Sequence, residues 1–327
     1  MKEIVGVDIG GANLKYASAN GRAHSRFFPM WRQPESLCDS LIKDLQEFGS
    51  IDSLAVTMTG ELADCFIDRQ MGVKHIVDHT QRAAKALGIH DVRFYAVDGV
   101  FYDGKSAAEK TDLIAASNWH ALASYVGREI AADALLIDIG STTTDVIPIA
   151  NGSVATTAQT DYDRLSEGSL VYVGCRRTPV CSLVDKLTYC GQTSSIMNEF
   201  FATVDDARLV LGTISDMPDD LDTADGKPRT AEFAANRLAR MIGLDRRSVG
   251  VEQSRELAEQ IVDALRKTIA DAVRQQESSV IVVSGHGPDL LAVSNDQQVQ
   301  TLADKLGDQV SRSAPAYAVA RLMGKTQ

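Results

Sequence analysis

Short apolar runs closed by turn residues alternate with longer amphipathic stretches along most of the chain. Residues 3–9 predict a strand, and after Gly10-Gly11 the segment Leu14–Ser18 predicts its hairpin partner. Residues 36–48 carry apolar positions at helical spacing. Ser53–Gly60, SLAVTMTG, reads as a buried strand that stops at a glycine. His75–Gly88 predicts a helix and Val92–Val97 a strand. Ala107–Val126 predicts one long helix with Ala, Leu, Ile and Trp119 on its apolar positions. The pattern then restarts, with a strand at 134–139, a turn at Gly140, and a returning strand at 144–149 closed by Asn151-Gly152. From about 153 to 230 the chain is less regular, and the polar stretch Ser215–Thr230 predicts a mobile loop. Helices resume at 231–242 and 253–275, and Ser279–Leu291 predicts a strand, a Gly-x-Gly turn and a helix.

This alternation indicates an α/β fold. Its two halves open on near copies of one turn, VGVDIGGANLK (Val5–Lys15) and LLIDIGSTTTDV (Leu136–Val146). Each glycine turn leads into another strand, not directly into a helix, which argues for a duplicated fold and against a Rossmann fold. The expected domains are residues 1–133, completed by a C-terminal helix over 313–327, and residues 134–312, with an irregular insertion around 153–230. Two domains that each supply one hairpin must close on a shared ligand, so a small, wet interface between them is expected.

A formal charge of −11 argues against a general nucleic-acid binder. The beginning MKEIVGVDIGG has no signal-like apolar core, and no apolar run of membrane-spanning length occurs, so a cytoplasmic protein without membrane contact is expected. The five cysteines, Cys38, Cys65, Cys175, Cys181 and Cys190, form no CxxC pair and read as reduced thiols. Cys175, Cys181 and Cys190 remain a conceivable zinc set, and His75 with His79 offers two metal bonds on one helix face.

The repeated turn carries the candidate chemistry. Gly10 and Gly11 let backbone N–H groups approach an anion, and Asn13 and Lys15 add a polar and a cationic side chain. Gly140, Ser141, Thr142 and Thr143 repeat the turn with hydroxyl donors, continued by Thr144. Asp8 and Asp138, at matching strand ends, are placed to act catalytically by holding Mg²⁺ through water. Two facing copies would clamp a polyphosphate, so the expected partner is a small phosphorylated molecule. Gly285 and Gly287 would meet a nucleotide or substrate.

The paired hairpins and the later glycine turn resemble the actin, sugar-kinase and Hsp70 superfamily, which implies a ribonuclease H-like two-domain fold with a central cleft. The longer motifs MTGELADCF, DIGSTTTDVIPI, EGSLVYVGCRRTPV, EFFATVDDARLVLG and TADGKPRT resemble the hydantoinase A/oxoprolinase group. Within that group they are most similar to the tetrahydromethanopterin-linked C1-transfer family, whose archaeal members are linked to methanofuran biosynthesis. The resemblance implies a transferase that joins a furanylmethyl diphosphate to the phenol of glutamyl-tyramine and releases diphosphate. Glu61 or Asp64 would take the phenol proton, or else cap the following helix. Arg176 and Arg177 would clamp phosphate or the glutamate carboxylates, or else form surface salt bridges. The acids Asp219, Asp220, Asp222 and Asp225 do not match a calcium loop and suit a solvated loop or a lid.

The competing expectation is an ATP-dependent small-molecule kinase or a hydantoinase-type hydrolase. Ala12 stands where many sugar kinases carry a hydroxyl residue, which tilts the reading towards the transferase. A homodimer is compatible with either.

Overall fold

The computed structural model describes residues 3–276, 278–291 and 297–326. Among these residues two six-stranded sheets carry the fold. The first contains β1 (Ile4–Ile9), β2 (Asn13–Ser18), β3 (Ala23–Phe27), β4 (Ser53–Met58), β5 (Asp91–Tyr95) and β6 (Phe101–Tyr102), in the order β3-β2-β1-β4-β5-β6. The second contains β7 (Ala134–Ile139), β8 (Thr144–Ala150), β9 (Ser153–Val154) and β10 (Leu170–Val171). A separate ribbon of β11 (Lys186–Tyr189) and β12 (Gln192–Ser195) follows, and β13 (Val280–Gly285) and β14 (Gln298–Thr301) complete the second sheet in the order β10-β8-β7-β13-β14.

The two sheets repeat one plan. In each, an opening strand pairs antiparallel with the strand after its glycine turn and parallel with a later strand, β4 in one case and β13 in the other. The central strands are buried along almost their whole length, which is why β1, β4 and β7 are near-continuous apolar runs. The helices Leu37–Gln46 and Arg69–Ala86 pack together and cover the core cluster of the first sheet. Val204–Leu211, Ala231–Met241 and Val251–Arg274 do the same for the second.

Between the sheets lie the helices Asn118–Glu129 and Ala314–Thr326. The C-terminal helix packs on β1, β2 and β4 as well as on Asn118–Glu129. One buried apolar cluster joins Ala17 and Ala55 of the first sheet, both helices, and Leu136, Ile147 and Val282 of the second. The junction is therefore a dry packed layer away from the cleft, and the expectation of a small, wet interface is corrected.

Three other expectations change. Ala107–Val126 is not one helix but three, Gly104–Glu109, Thr111–Ile114 and Asn118–Glu129. The break passes through Ala116, whose φ of 47° no helix accommodates. After Gly287 the chain makes only a 3₁₀ turn, Pro288–Leu290, in place of the expected helix, and residues 292–296 lie outside the described residues. The loop Ser215–Thr230 does not hang free. Met217 bridges to Arg229, Arg229 pairs with Asp205 at 2.5 Å, and Arg237 pairs with Asp225 at 3.0 Å. Its acids Asp220, Asp222 and Asp225 serve as ion-pair partners of arginines around them.

Candidate functional site

Both glycine turns face one cleft of about 400 Å³ between the sheets. The turns are built alike. Gly10 N–H donates to the Asn13 carbonyl at 3.0 Å, and Gly140 N–H to the Thr143 carbonyl at 2.9 Å. In register, Asp8 stands opposite Lys15 across the first hairpin and Asp138 opposite Asp145 across the second. The cationic position of the first copy is thus a third carboxylate in the second. Asp8, Gly10, Gly11, Asn13 and Lys15 line the cleft together with Asp138, Gly140, Ser141, Thr142 and Thr143.

The turns are held in place by close backbone approaches. The second rests on Gly174, where a Cβ would stand 2.6 Å from backbone atoms of Thr142. From there the Cys175 N–H bonds the Gly140 carbonyl at 2.9 Å, and the Arg176 and Arg177 N–H groups bond the Ser141 carbonyl at 3.1 and 2.8 Å. Gly285, at φ +91°, passes behind Asp138, where a Cβ would meet its Oδ1 at 2.8 Å and the Ile139 carbonyl oxygen at 2.2 Å. Neither Gly285 nor Gly287 lines the cleft. Both back the second hairpin, Gly287 against Ile139 and Cys175.

Burial sets the electrostatics. Asp8 is pushed up to about 6, chiefly by desolvation, with Lys15 opposing. Asp138 is also raised to about 6, by desolvation first and by the Asp145 charge next, with Lys15 opposing. Asp8 Oδ1 is buried and has no hydrogen-bond partner among the described residues. A hard divalent cation matches this donor set of oxygens, since it would neutralise carboxylates that are costly to ionise where they stand. Mg²⁺ therefore fits Asp8 and Asp138.

Glu61 follows β4 and is 1 % exposed. Its Oε1 accepts the Ala116 N–H at 3.0 Å, and its Oε2 has no partner among the described residues. The same contact holds Ala116 in its unusual conformation and interrupts the expected helix. Glu61 is seated by Gly72, whose missing Cβ would lie 2.2 Å from the Glu61 carbonyl oxygen. Desolvation raises its carboxyl from 4.5 to about 7. Asp64 also lines the cleft but is exposed. Neither residue caps the following helix, since Asp68 does so by accepting the Met71 N–H at 2.7 Å.

Arg176 and Arg177 both line a neighbouring cavity, and Arg177 also lines the cleft, where it lies over the Trp31 ring at 5.4 Å. Several site residues carried no sequence signal. Arg164, 2 % exposed, bonds Asp145 at 2.5 Å and lies over the Trp119 ring at 4.1 Å. Asp161 lines the cleft and pairs with Arg69 at 3.4 Å, tying the two halves together. These partners lie far apart in sequence, so only the tertiary fold reveals them.

The metal alternatives do not assemble. All five cysteines are free, and among the described residues none belongs to a group with metal-binding proximity. His75 and His79 stack on each other with ring centroids 4.0 Å apart. His75 Nε2 contacts the Pro34 carbonyl, and His79 Nδ1 accepts the Cys38 N–H at 3.3 Å. That pair packs one helix on the next.

The duplicated sheets and facing hairpins define a protein of the actin, sugar-kinase and Hsp70 fold. A nucleotide-free acetone carboxylase shares this fold with a TM-score of 0.56 at 11% identity, over 97% of this chain and 70% of that one. The hydantoinase/oxoprolinase family profile matches residues 52–326, and the chain belongs to that family. A protein of Methanocaldococcus jannaschii is 33% identical over 98% of both chains. One of Methanococcus vannielii is 29% identical over 62% of this chain and 95% of its own. Both are named synthases of a furan-2-ylmethanamine bearing a γ-L-glutamylaminoethyl-phenoxymethyl group. Among the described residues no helix is long and apolar enough to cross a membrane.

Proposed function

We propose that this chain joins a furanylmethyl diphosphate to the phenol of a glutamyl-tyramine, forming an aryl ether and releasing diphosphate in methanofuran-type biosynthesis. The observation that carries this reading is Glu61. A buried carboxylate with a free oxygen and a pKa near neutrality shares one cleft with two anion-holding turns. A phosphoanhydride grip and a proton acceptor are what such a substitution needs. The names of the two relatives agree with the ether product.

The bond between the furanylmethyl carbon and the diphosphate oxygen breaks, and its electron pair leaves with diphosphate. A bond from the phenol oxygen to the same carbon forms, and the phenol proton passes to Glu61 Oε2. Lys15 and the backbone N–H groups of the two turns hold the departing charge. Asp8 and Asp138 would hold a Mg²⁺ ion, which when bound would supply further charge stabilisation to the leaving group. Trp31, Trp119 and Tyr172 line the cleft and offer flat apolar surface to the furan and phenol rings. Phenols are weak acids with a pKa of about 10, but the hydroxyl acidifies as its oxygen bonds to carbon, so a base near 7 suffices.

The reading is tested with substrate carrying ¹⁸O in the bridging C–O–P position. Transfer to the phenol by C–O cleavage puts the label into released diphosphate. Label retained on the furanylmethyl carbon would mean cleavage at phosphorus and would remove the reading.

A further inference from the structure

A second cavity of about 260 Å³ lies beside the cleft, lined by Arg176, Arg177, Asp205, Asp206, Asp222 and Phe200 among others. Arg177 lines both spaces. The backbone that carries both arginines is sewn to the Ser141 carbonyl, so this cavity stands at a fixed distance from the second phosphate turn.

Its charges are of two kinds. The inner carboxylates are committed: Asp205 accepts from Arg229 at 2.5 and 2.7 Å, and Asp206 accepts from Arg237 and from the Thr203 N–H at 2.8 and 2.9 Å. The outer ones are loosely held. Arg176 and Arg177 share Asp222 at 3.4 and 3.3 Å, and that side chain is 42% exposed, while Arg176 also donates to Asp220 at 2.9 Å. Each guanidinium has five N–H donors, so both retain capacity for another carboxylate. A phosphate here would face three carboxylates, and a lone cation would face two guanidiniums. A ligand bearing one carboxylate and one ammonium group satisfies both.

We infer that this cavity binds the α-amino-acid head of the acceptor, its carboxylate on Arg176 and Arg177 and its ammonium against Asp222, while its phenol reaches the cleft past Arg177. The inference rests on the proposed transfer reaction and deepens it. The head group then sets how far the phenol penetrates, so an acceptor lacking that head should be used poorly.

The test compares γ-glutamyl-tyramine with tyramine as acceptors for furanylmethyl diphosphate and Mg²⁺, in wild type and in Arg176→Gln. Wild type should favour the glutamylated acceptor in kcat/KM, and the variant should lose about 10- to 100-fold of that preference. Loosening of the loop could blur the variant, so wild type is also given the α-carboxamide and the N-acetyl forms of the acceptor, each of which should lose about tenfold or more. Turnover with equal use of all four acceptors overturns the subsite and leaves the transfer reaction standing. No turnover of any phenol overturns the transfer reaction itself.

Discussion

Replacing Glu61 by glutamine separates stability from catalysis. In the folded protein Glu61 titrates near 7 in place of 4.5, so the fold favours its protonated form. The associated stability is fully present below pH 4.5 and is lost as pH rises through about 7. That interval corresponds to about 3 kcal/mol of cost at pH 8. Glutamine keeps an oxygen for the Ala116 N–H but brings an amide donor to the place where Oε2 has no partner, which costs about 1–2 kcal/mol. Glu61→Gln should therefore be more stable than wild type by about 1–2 kcal/mol at pH 8 and lose that advantage at pH 4.5. Urea unfolding at the two pH values measures this. The same variant should lose about 10²- to 10⁴-fold in turnover, the contribution of a positioned base. Wild-type kcat should climb with pH, pass half its maximum near 7 and level off about one unit higher, and that limb should vanish in the variant's residual rate. A variant with normal turnover, or one whose profile keeps the limb, refutes the assignment.

Four other outcomes are expected. Asp8→Asn should abolish Mg²⁺-dependent turnover, a loss of several kcal/mol, without destabilising the fold at pH 8, because it removes a buried charge whose pKa is raised to about 6; circular dichroism and a Mg²⁺ titration check both halves. For the same reason calorimetry with diphosphate and Mg²⁺ should give weaker binding at pH 5 than at pH 7.5, since protons then compete at Asp8 and Asp138. Lys15→Ala should weaken diphosphate binding by about 2–4 kcal/mol, and an unchanged affinity would show that Lys15 serves the hairpin only. Gly174→Ala should displace the second turn, where its Cβ would lie 2.6 Å from Thr142; thermal unfolding and diphosphate affinity should fall together, by about 1–3 kcal/mol in stability.

What was legible in the sequence was what local physics dictates. The apolar runs of β1, β4 and β7 and the Asp–Ile–Gly turns after two of them announce buried strands and tight glycine hairpins from a few residues each. What was not legible depends on contacts between distant segments. Ala116 sits in an alanine-rich stretch that reads as helix, yet a buried carboxylate 55 residues away holds its N–H and breaks it. Asp145 looks like one more polar residue of a hairpin until Arg164 packs against it and over Trp119. The adjacent Arg176 and Arg177 look equivalent, and only the fold shows that both line one cavity while Arg177 reaches the cleft as well. The acidic loop reads as solvated because its cationic partners Arg176, Arg229 and Arg237 belong to other elements or return only at its far end.

The central claim is that the cleft cuts an organic diphosphate to make an ether, not ATP to move a phosphoryl group. Purified protein with Mg²⁺, furanylmethyl diphosphate and γ-glutamyl-tyramine, in parallel with ATP in place of the furan substrate, tests it most directly. Diphosphate and ether measured by mass spectrometry should appear in equal amounts, and ATP should remain intact. ATP consumption dependent on the phenol, with no ether formed from the diphosphate, would contradict the account.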